Sequence, residues 1–388
     1  MFEQFLFILF AVCNAQQLID LKDFPANTVS NISAVGPYSI YVSASSDDDS
    51  LLKQVSISDL SSMSTKTLWD LKHNKLFQNS GLLQPFAVAT SAVLISTLSN
   101  EKMAELKGSL YITTAQQLRN TNGFLVYDVQ VSEKIQITDD HTLVFLNTNY
   151  NKQPWQSSTI SAWKQTEGST VYLYEGIPTD AEEKENTHIF SNPVLRSDGS
   201  TKFIPSVEIF SLSLGAFYLK AHKGVQFVID PNYYDVNNGI TTSKITTGFY
   251  MKSIASPDSN ITINISHDSL YGTTGVNVIG HVPVNTIFSV SGPKTWSTNP
   301  TSVIQPWSVA QISDSLRFQT VNSAAGEIFV QYYIIQGIEP NPPVSTTTAS
   351  TVLPGRQTTA LPYTTTRPAA VLQVFTSILI SLSTFRFL

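Results

Sequence analysis

The chain has 388 residues, of which 42% are apolar and only 13% charged, with a formal net charge of −6 and a single cysteine. The charged share is about half the ~25% usual for soluble globular proteins. No cluster of Lys and Arg is present to neutralise phosphates, which excludes nucleic acid as a partner, and one cysteine excludes a disulfide scaffold or a Cys-ligated zinc site.

Ser, Thr, Asn and Gln supply the missing polarity, as suits an extracellular, glycosylated surface. The length exceeds one ordinary domain of ~100–200 residues and predicts two or three. Residues 1–15 read as a secretory signal peptide, with an apolar run from Phe5 to Val12 followed by Cys13-Asn14-Ala15. Cleavage after Ala15 would remove Cys13.

From Gln16 onward the dominant pattern is β. Tyr38 to Ser43, Val55 to Ser58 and Leu110 to Thr113 alternate apolar and polar residues, which predicts strands with one buried face. Asp59 to Lys75 and Glu101 to Lys107 are the stretches that could form short helices. Asp47-Asp48-Asp49 is expected to be a solvated turn. A second series of strands runs through Phe124 to Val131, Lys134 to Ile137, Leu143 to Leu146 and Ser169 to Gly176. After a charged loop at Glu182 to Glu185 and a hairpin turn at Asp198-Gly199 it continues through Val207 to Leu212, Ala216 to Lys220 and Val225 to Asp230. Asn237-Asn238-Gly239 then punctuates the chain. A third series holds Thr247 to Ile254, Ile261 to Ile265, Val276 to Ile279, Thr286 to Val290, Leu316 to Val321 and Glu327 to Ile335. Short strands with regular turn signals predict an all-β fold of two or three serial β-sandwiches. The expected domains are 16–120, 121–238 and 239–338.

Residues 339–368 change composition abruptly and read as a disordered Ser/Thr/Pro stalk. The apolar tail 369–388 allows three readings: a glycosylphosphatidylinositol attachment signal, a membrane span, or a weak tail on a secreted protein. Its polar residues Gln373, Thr376, Ser377, Ser381, Ser383 and Thr384 and the lack of a basic flank favour the lipid anchor.

Three Asn-x-Ser/Thr sequons, at Asn31, Asn260 and Asn264, are candidate glycosylation sites. On the alternating strand Ile261 to Ile265 the isoleucines point inward and Asn264 outward. Six histidines are scattered without metalloprotease spacing, and no Gly-x-Ser-x-Gly, Gly-x-Gly-x-x-Gly or phosphate-loop motif occurs. No catalytic, cofactor-binding or metal-binding residue is assigned. A pair of facing carboxylates, as in glycosidases, is the one chemistry that sequence alone leaves open. Trp155, Trp163, Trp296 and Trp307 stand in or beside polar segments. Exposed tryptophans stack on sugars and favour recognition surfaces, and the alternative is that each plugs the end of a sandwich.

Ser169-Thr170-Val171-Tyr172-Leu173-Tyr174-Glu175-Gly176, with the strand pair ending in Phe217-Tyr218-Leu219 and Phe227-Val228-Ile229, resembles the CUB jelly-roll sandwich. With the signal peptide, stalk and apolar terminus, the chain is similar to the CUB-like secreted and surface proteins of nematodes. CUB domains usually carry disulfides and many bind calcium, and this chain offers no cysteine pair and only Glu175 near such a position. The resemblance implies an extracellular, non-enzymatic adhesion or recognition role, often in host defence or stress. The expected partners are a carbohydrate, a microbial surface or a surface protein, with the membrane held through the C-terminal anchor. A structural part in a glycan-rich coat is the alternative, and an ectoenzyme the third.

Overall fold

The structure, a computed structural model, describes residues 16–113, 123–150, 153–178 and 187–337. The expectations for the signal peptide, the charged loop at Glu182 to Glu185, the stalk and the tail lie outside the described residues.

The regular secondary structure of the described chain is almost entirely β-strand, arranged as three pairs of facing sheets. In the first pair, Gln17–Asp20, Gly108–Ile112, Tyr38–Ala44 and Phe86–Val88 face Val29–Asn31, Ala92–Ser96, Val55–Asp59 and Ser64–Thr67. Val42, Leu110, Val55, Ile57 and Leu94 fill the space between them. The stretch expected to be helical from Asp59 divides into a strand, Ser64–Thr67, and a short helix, Leu68–Lys72. Thr67 starts that helix with a capping box, its hydroxyl accepting from the Asp70 amide while Asp70 accepts in return. The acidic run at Asp47 is not a solvated turn. Asp48 is buried and accepts from the Lys107 amide at 2.7 Å, and Asp49 holds the Lys72 ammonium at 2.6 Å.

In the second pair a five-stranded sheet (Phe190–Asn192, Thr170–Glu175, Ala216–His222, His141–Leu146, Phe124–Asp128) covers a four-stranded one (Glu133–Ile137, Val225–Asp230, Ser157–Lys164, Phe210–Ser213). Its core is aromatic: Phe145 stacks on Phe217 at 4.9 Å, and Trp163 stacks on Phe227 at 5.5 Å. The hairpin expected at Asp198-Gly199 joins Val194–Leu195 to Thr201–Lys202, and Gly199 takes the left-handed φ of +80° that its turn requires.

The first and second sandwiches are tied by the segment after the Leu68–Lys72 helix. Leu83 donates to the Val126 carbonyl and Asp128 to the Gly81 carbonyl, so this segment pairs with the edge strand Phe124–Asp128. Glu133 clasps it from the side, accepting from the Ser80 hydroxyl at 2.6 Å and the Gly81 amide at 2.7 Å.

The third pair sets Ser206–Val207, Ile245–Lys252, Glu327–Gln336, Gly272–His281 and Gln305–Val309 against Asn260–Asn264, Ser315–Val321, Ile287–Ser291 and Thr295–Thr298. Its five-stranded sheet is buried on both faces. Tyr250, Val276, Val278, Ile328, Val330 and Tyr332 face the third core, while Phe249, Ile279 and Phe329 enter the core of the second. Phe249 packs against Phe190 and Phe210 across this seam and against Phe329 of its own sheet. A strand wet on neither face has no reason to alternate, which is why Glu327–Gln336 reads as a near-continuous apolar run.

Candidate functional site

After Leu146 the chain leaves its strand and returns at Ser157, and the tip of this excursion carries Trp155. The tip is held from below by side-chain amides. Asn147 donates to the carbonyls of Gln156 at 2.8 Å and Ser157 at 2.9 Å. Gln156 donates back to the Asn147 carbonyl and to the Tyr150 hydroxyl. Ser157 closes the turn with a 2.6 Å bond to the Pro154 carbonyl. Gly215 lies beneath it, where a Cβ would stand 2.7 Å from the Gln156 amide nitrogen and push that amide aside. With its base so fixed, the Trp155 indole remains 52% exposed, with Tyr150 at 6.4 Å on one side.

Opposite lies the turn Ser253 to Pro257, which follows a strand of the third sandwich. Its hydroxyls are bonded to each other, Ser253 to Ser256 at 2.8 Å, and the Ser256 amide donates to the Ser253 carbonyl. Between the two walls is a cleft of about 430 Å³, lined by Gln153, Pro154, Trp155, Gln156, Ser213 and residues 253 to 257. Ile254, expected inside a strand, stands on the rim at 57% exposure because the strand ends at Lys252. Sequence reasoning missed this second wall. Its one local sign is Pro257 closing a Ser- and Ala-rich stretch.

The four candidate tryptophans have separate fates. Trp155 alone is well exposed. Trp163 is a correction to the recognition reading: it is 8% exposed, packs in the second core and donates to Gln165 at 3.1 Å. Trp296 and Trp307 come together, stacked at 5.9 Å and 11° between planes. They sit on the outer strands of the two facing sheets of the third sandwich and cover its open edge, half-buried against its core. Among the sequons, Asn31 and Asn260 are exposed, and Asn260 accepts from the Arg317 guanidinium at 2.7 Å. Asn264 is half-buried and its amide donates to the Asn238 carbonyl at 3.2 Å.

Asp140 precedes the strand His141–Leu146 and meets His222 at 2.6 Å. A second titratable cluster spans the seam between the second and third sandwiches. Glu175, at the end of its strand, has a carboxylate oxygen 3.5 Å from His281 Nε2, and it shares a hydrogen bond with Glu327, the cross-strand partner of His281. Burial, then the adjacent charge and hydrogen bond of Glu175, push the Glu327 carboxyl up to about 7. Burial also raises Glu175. Lys252 lies close enough to lower the Glu327 carboxyl, and it is held by the carbonyls of Ser323 at 2.6 Å and Gly326 at 2.8 Å, with Asp258 beyond it. Two interacting carboxyls do not both ionise readily, which favours the protonated form of one of them.

The pair makes stability depend on pH. The value for Glu327 in the fold lies above the 4.5 of an unperturbed carboxyl, so its contribution is full below that value and is lost as pH rises through about 7. The melting temperature is therefore expected to fall between about pH 4.5 and 7 and to level off above that. Glu327→Gln, which keeps a permanent donor at the shared position, should flatten that slope and raise the melting temperature at the alkaline end. Thermal melts at constant ionic strength check this, and an unchanged slope in the variant would remove the pair as its cause.

Among the described residues no group of three or more His, Cys, Asp or Glu could hold a metal ion, and no helix is long and apolar enough to cross a membrane. The chain belongs to the transmembrane glycoprotein family, which matches residues 35–383, and it is accordingly a membrane glycoprotein. No curated protein matches it. Among solved structures it is similar to the CUB1-EGF-CUB2 domain of human MASP-1/3 at 10% identity, covering 53% of this chain and 100% of that one, with a TM-score of 0.18. It is also similar to the insecticidal delta-endotoxin Cry8Ea1 of Bacillus thuringiensis at 11% identity, covering 46% and 42%, with a TM-score of 0.17. Likenesses at these scores carry no argument.

Proposed function

We propose that this membrane glycoprotein is a non-enzymatic recognition or adhesion molecule, displayed on the outer face of the plasma membrane and serving in host defence or stress response. The observation that carries the reading is the Trp155 cleft. A large aromatic side chain is left in water on a loop that an internal network of amides holds rigid, and such anchors cluster at recognition surfaces. The exposed side chains of Asn31 and Asn260 are the proposed glycan carriers, and residues 369–388 the attachment to the membrane, with a lipid anchor preferred over a span.

One experiment tests display and recognition together. The full chain is expressed on intact cells, whose binding to microbial surfaces and to other cells is scored with and without Trp155→Ala. Loss of about tenfold or more in binding with the variant, at equal surface expression, is the expected result. Binding that survives unchanged would dissociate recognition from this cleft. Treatment of the same cells with a phosphatidylinositol-specific phospholipase should release the chain; retention beside released control proteins would sink the lipid anchor in favour of a span.

A further inference from the structure

We propose that the Trp155 cleft binds an uncharged saccharide, with one pyranose ring lying on the indole and its hydroxyls meeting the amides and hydroxyls of the two walls. This rests on the recognition reading and narrows it to one ligand class.

The lining decides the class. None of the ten described residues around the cleft, Gln153 to Gln156, Ser213 and Ser253 to Pro257, carries a charge. A sialic acid, uronate, sulfate or phosphate would surrender its hydration here to neutral amides and hydroxyls only, and desolvating an ion without a counter-charge is strongly unfavourable. A charged peptide segment meets the same objection. An alkyl or acyl chain is disfavoured for the opposite reason. The side chains of Gln153, Gln156, Ser213, Ser253 and Ser256 would lose water to it and gain no hydrogen bond.

A neutral sugar satisfies both halves of the lining. One face of a pyranose presents C–H groups, which fit an apolar aromatic surface, while its rim presents hydroxyls that both donate and accept. The side-chain amides and serine hydroxyls offer donors and acceptors alike, and Ser253 and Ser256, although bonded to each other, keep acceptor capacity. The volume of about 430 Å³ falls in the ~300–1,000 Å³ range of small-ligand sites, a size for a short oligosaccharide rather than a protein epitope. The place is also apt, since such sites gather where domains meet, and this cleft takes one wall from the second sandwich and the other from the third. The bonds beneath Trp155 mean that little order has to be imposed on binding.

The test uses the full chain, solubilised in detergent, against immobilised chitotriose, maltotriose and mannotriose, with sialyllactose and a heparin hexasaccharide as charged probes. At least one neutral probe is expected to bind, with Trp155→Ala and Ile254→Asp each weakening it by about tenfold or more, and neither changing the melting temperature of this exposed rim. Two substitutions on opposite walls keep the result readable if one of them misfolds. Binding confined to the charged probes, and sensitive to Trp155→Ala, would overturn the neutral class while leaving recognition intact. Sugar binding indifferent to both substitutions would overturn the site. Cell binding that needs Trp155 but survives removal of cell-surface glycans would identify a protein ligand and overturn the saccharide. Absence of binding to all probes and to cells would end both this inference and the recognition reading.

Discussion

Replacing Gln331 by alanine is expected to destabilise the second and third sandwiches together by roughly 3–5 kcal/mol, a large share of the ~5–15 kcal/mol that holds most domains folded. Gln331 sits in the middle of the doubly buried sheet at 1% exposure. Its amide nitrogen donates to the Ser191 carbonyl at 2.6 Å and to the Thr247 hydroxyl at 3.1 Å, and its oxygen accepts from the Ser191 amide at 3.1 Å. It thus supplies to Ser191, in an edge strand of the second sandwich, the two bonds that a neighbouring strand would have made. Alanine leaves both backbone groups buried without partners, at about 1–3 kcal/mol each, and removes the packing of the stem.

Three variants separate the terms. Leucine restores much of the volume and none of the bonds, so it should recover only the packing. Glutamate keeps the shape but aims an acceptor at the Ser191 carbonyl, and when ionised it is a buried charge without a partner; it should be at least as harmful as alanine. The readout is the denaturation midpoint of the full chain. Leucine restoring wild-type stability would show that the seam is held by burial alone and that the amide contributes nothing.

How much of this was visible in the sequence can be judged strand by strand. Val225–Asp230 and Asn260–Asn264 have one core face and one wet face, and alternation locates them almost to the residue. Trp155 and Trp163 show the limit. Both stand among polar residues and look alike on paper, yet one is exposed and the other is core. The strand Ser157–Lys164 carries an irregularity between Ser161 and Lys164, where Ala162 adopts a φ of +50°. A bulge there shifts the phase of alternation by one residue and turns Trp163 inward, and a strict period of two cannot anticipate it. The cleft was half legible. The indole could be picked out from its composition and polar neighbours. Its opposite wall lies about a hundred residues further along, and which loops of two sandwiches come to face each other is settled by packing at the seam, not by local pattern. The Glu175 and Glu327 contact was hidden for the same reason, although each residue closes or opens a strand that the sequence does show.

The second large effect is expected at Gly275, where valine should cost about 3 kcal/mol, the upper part of the ~1–3 kcal/mol range for overpacking. The two adjacent tyrosines of the strand Glu327–Gln336 point to opposite faces of its sheet, and each lies over a glycine of a neighbouring strand. Tyr332 is paired with Gly248 and Tyr333 with Gly275. Neither glycine adopts a left-handed φ, so backbone freedom is not what selects them. Space is: a Cβ on Gly275 would stand 2.2 Å from Tyr333 Cζ and 2.3 Å from its hydroxyl oxygen. The ring cannot swing aside cheaply, because it is fully buried and wedged with Val194 and Ile204. A glycine covered by an aromatic ring from the next strand recovers the burial that its missing side chain would have provided. The argument is checked by a double-mutant cycle. Gly275→Ala alone should lower the melting temperature, but in a Tyr333→Leu background, where the ring is gone, the same change should be neutral or favourable, since alanine is the better strand residue. An equal loss in both backgrounds would mean that the glycine serves the backbone and not the ring, and the pairing of tyrosine with glycine would then explain nothing about why Gly248 and Gly275 stand in this central sheet.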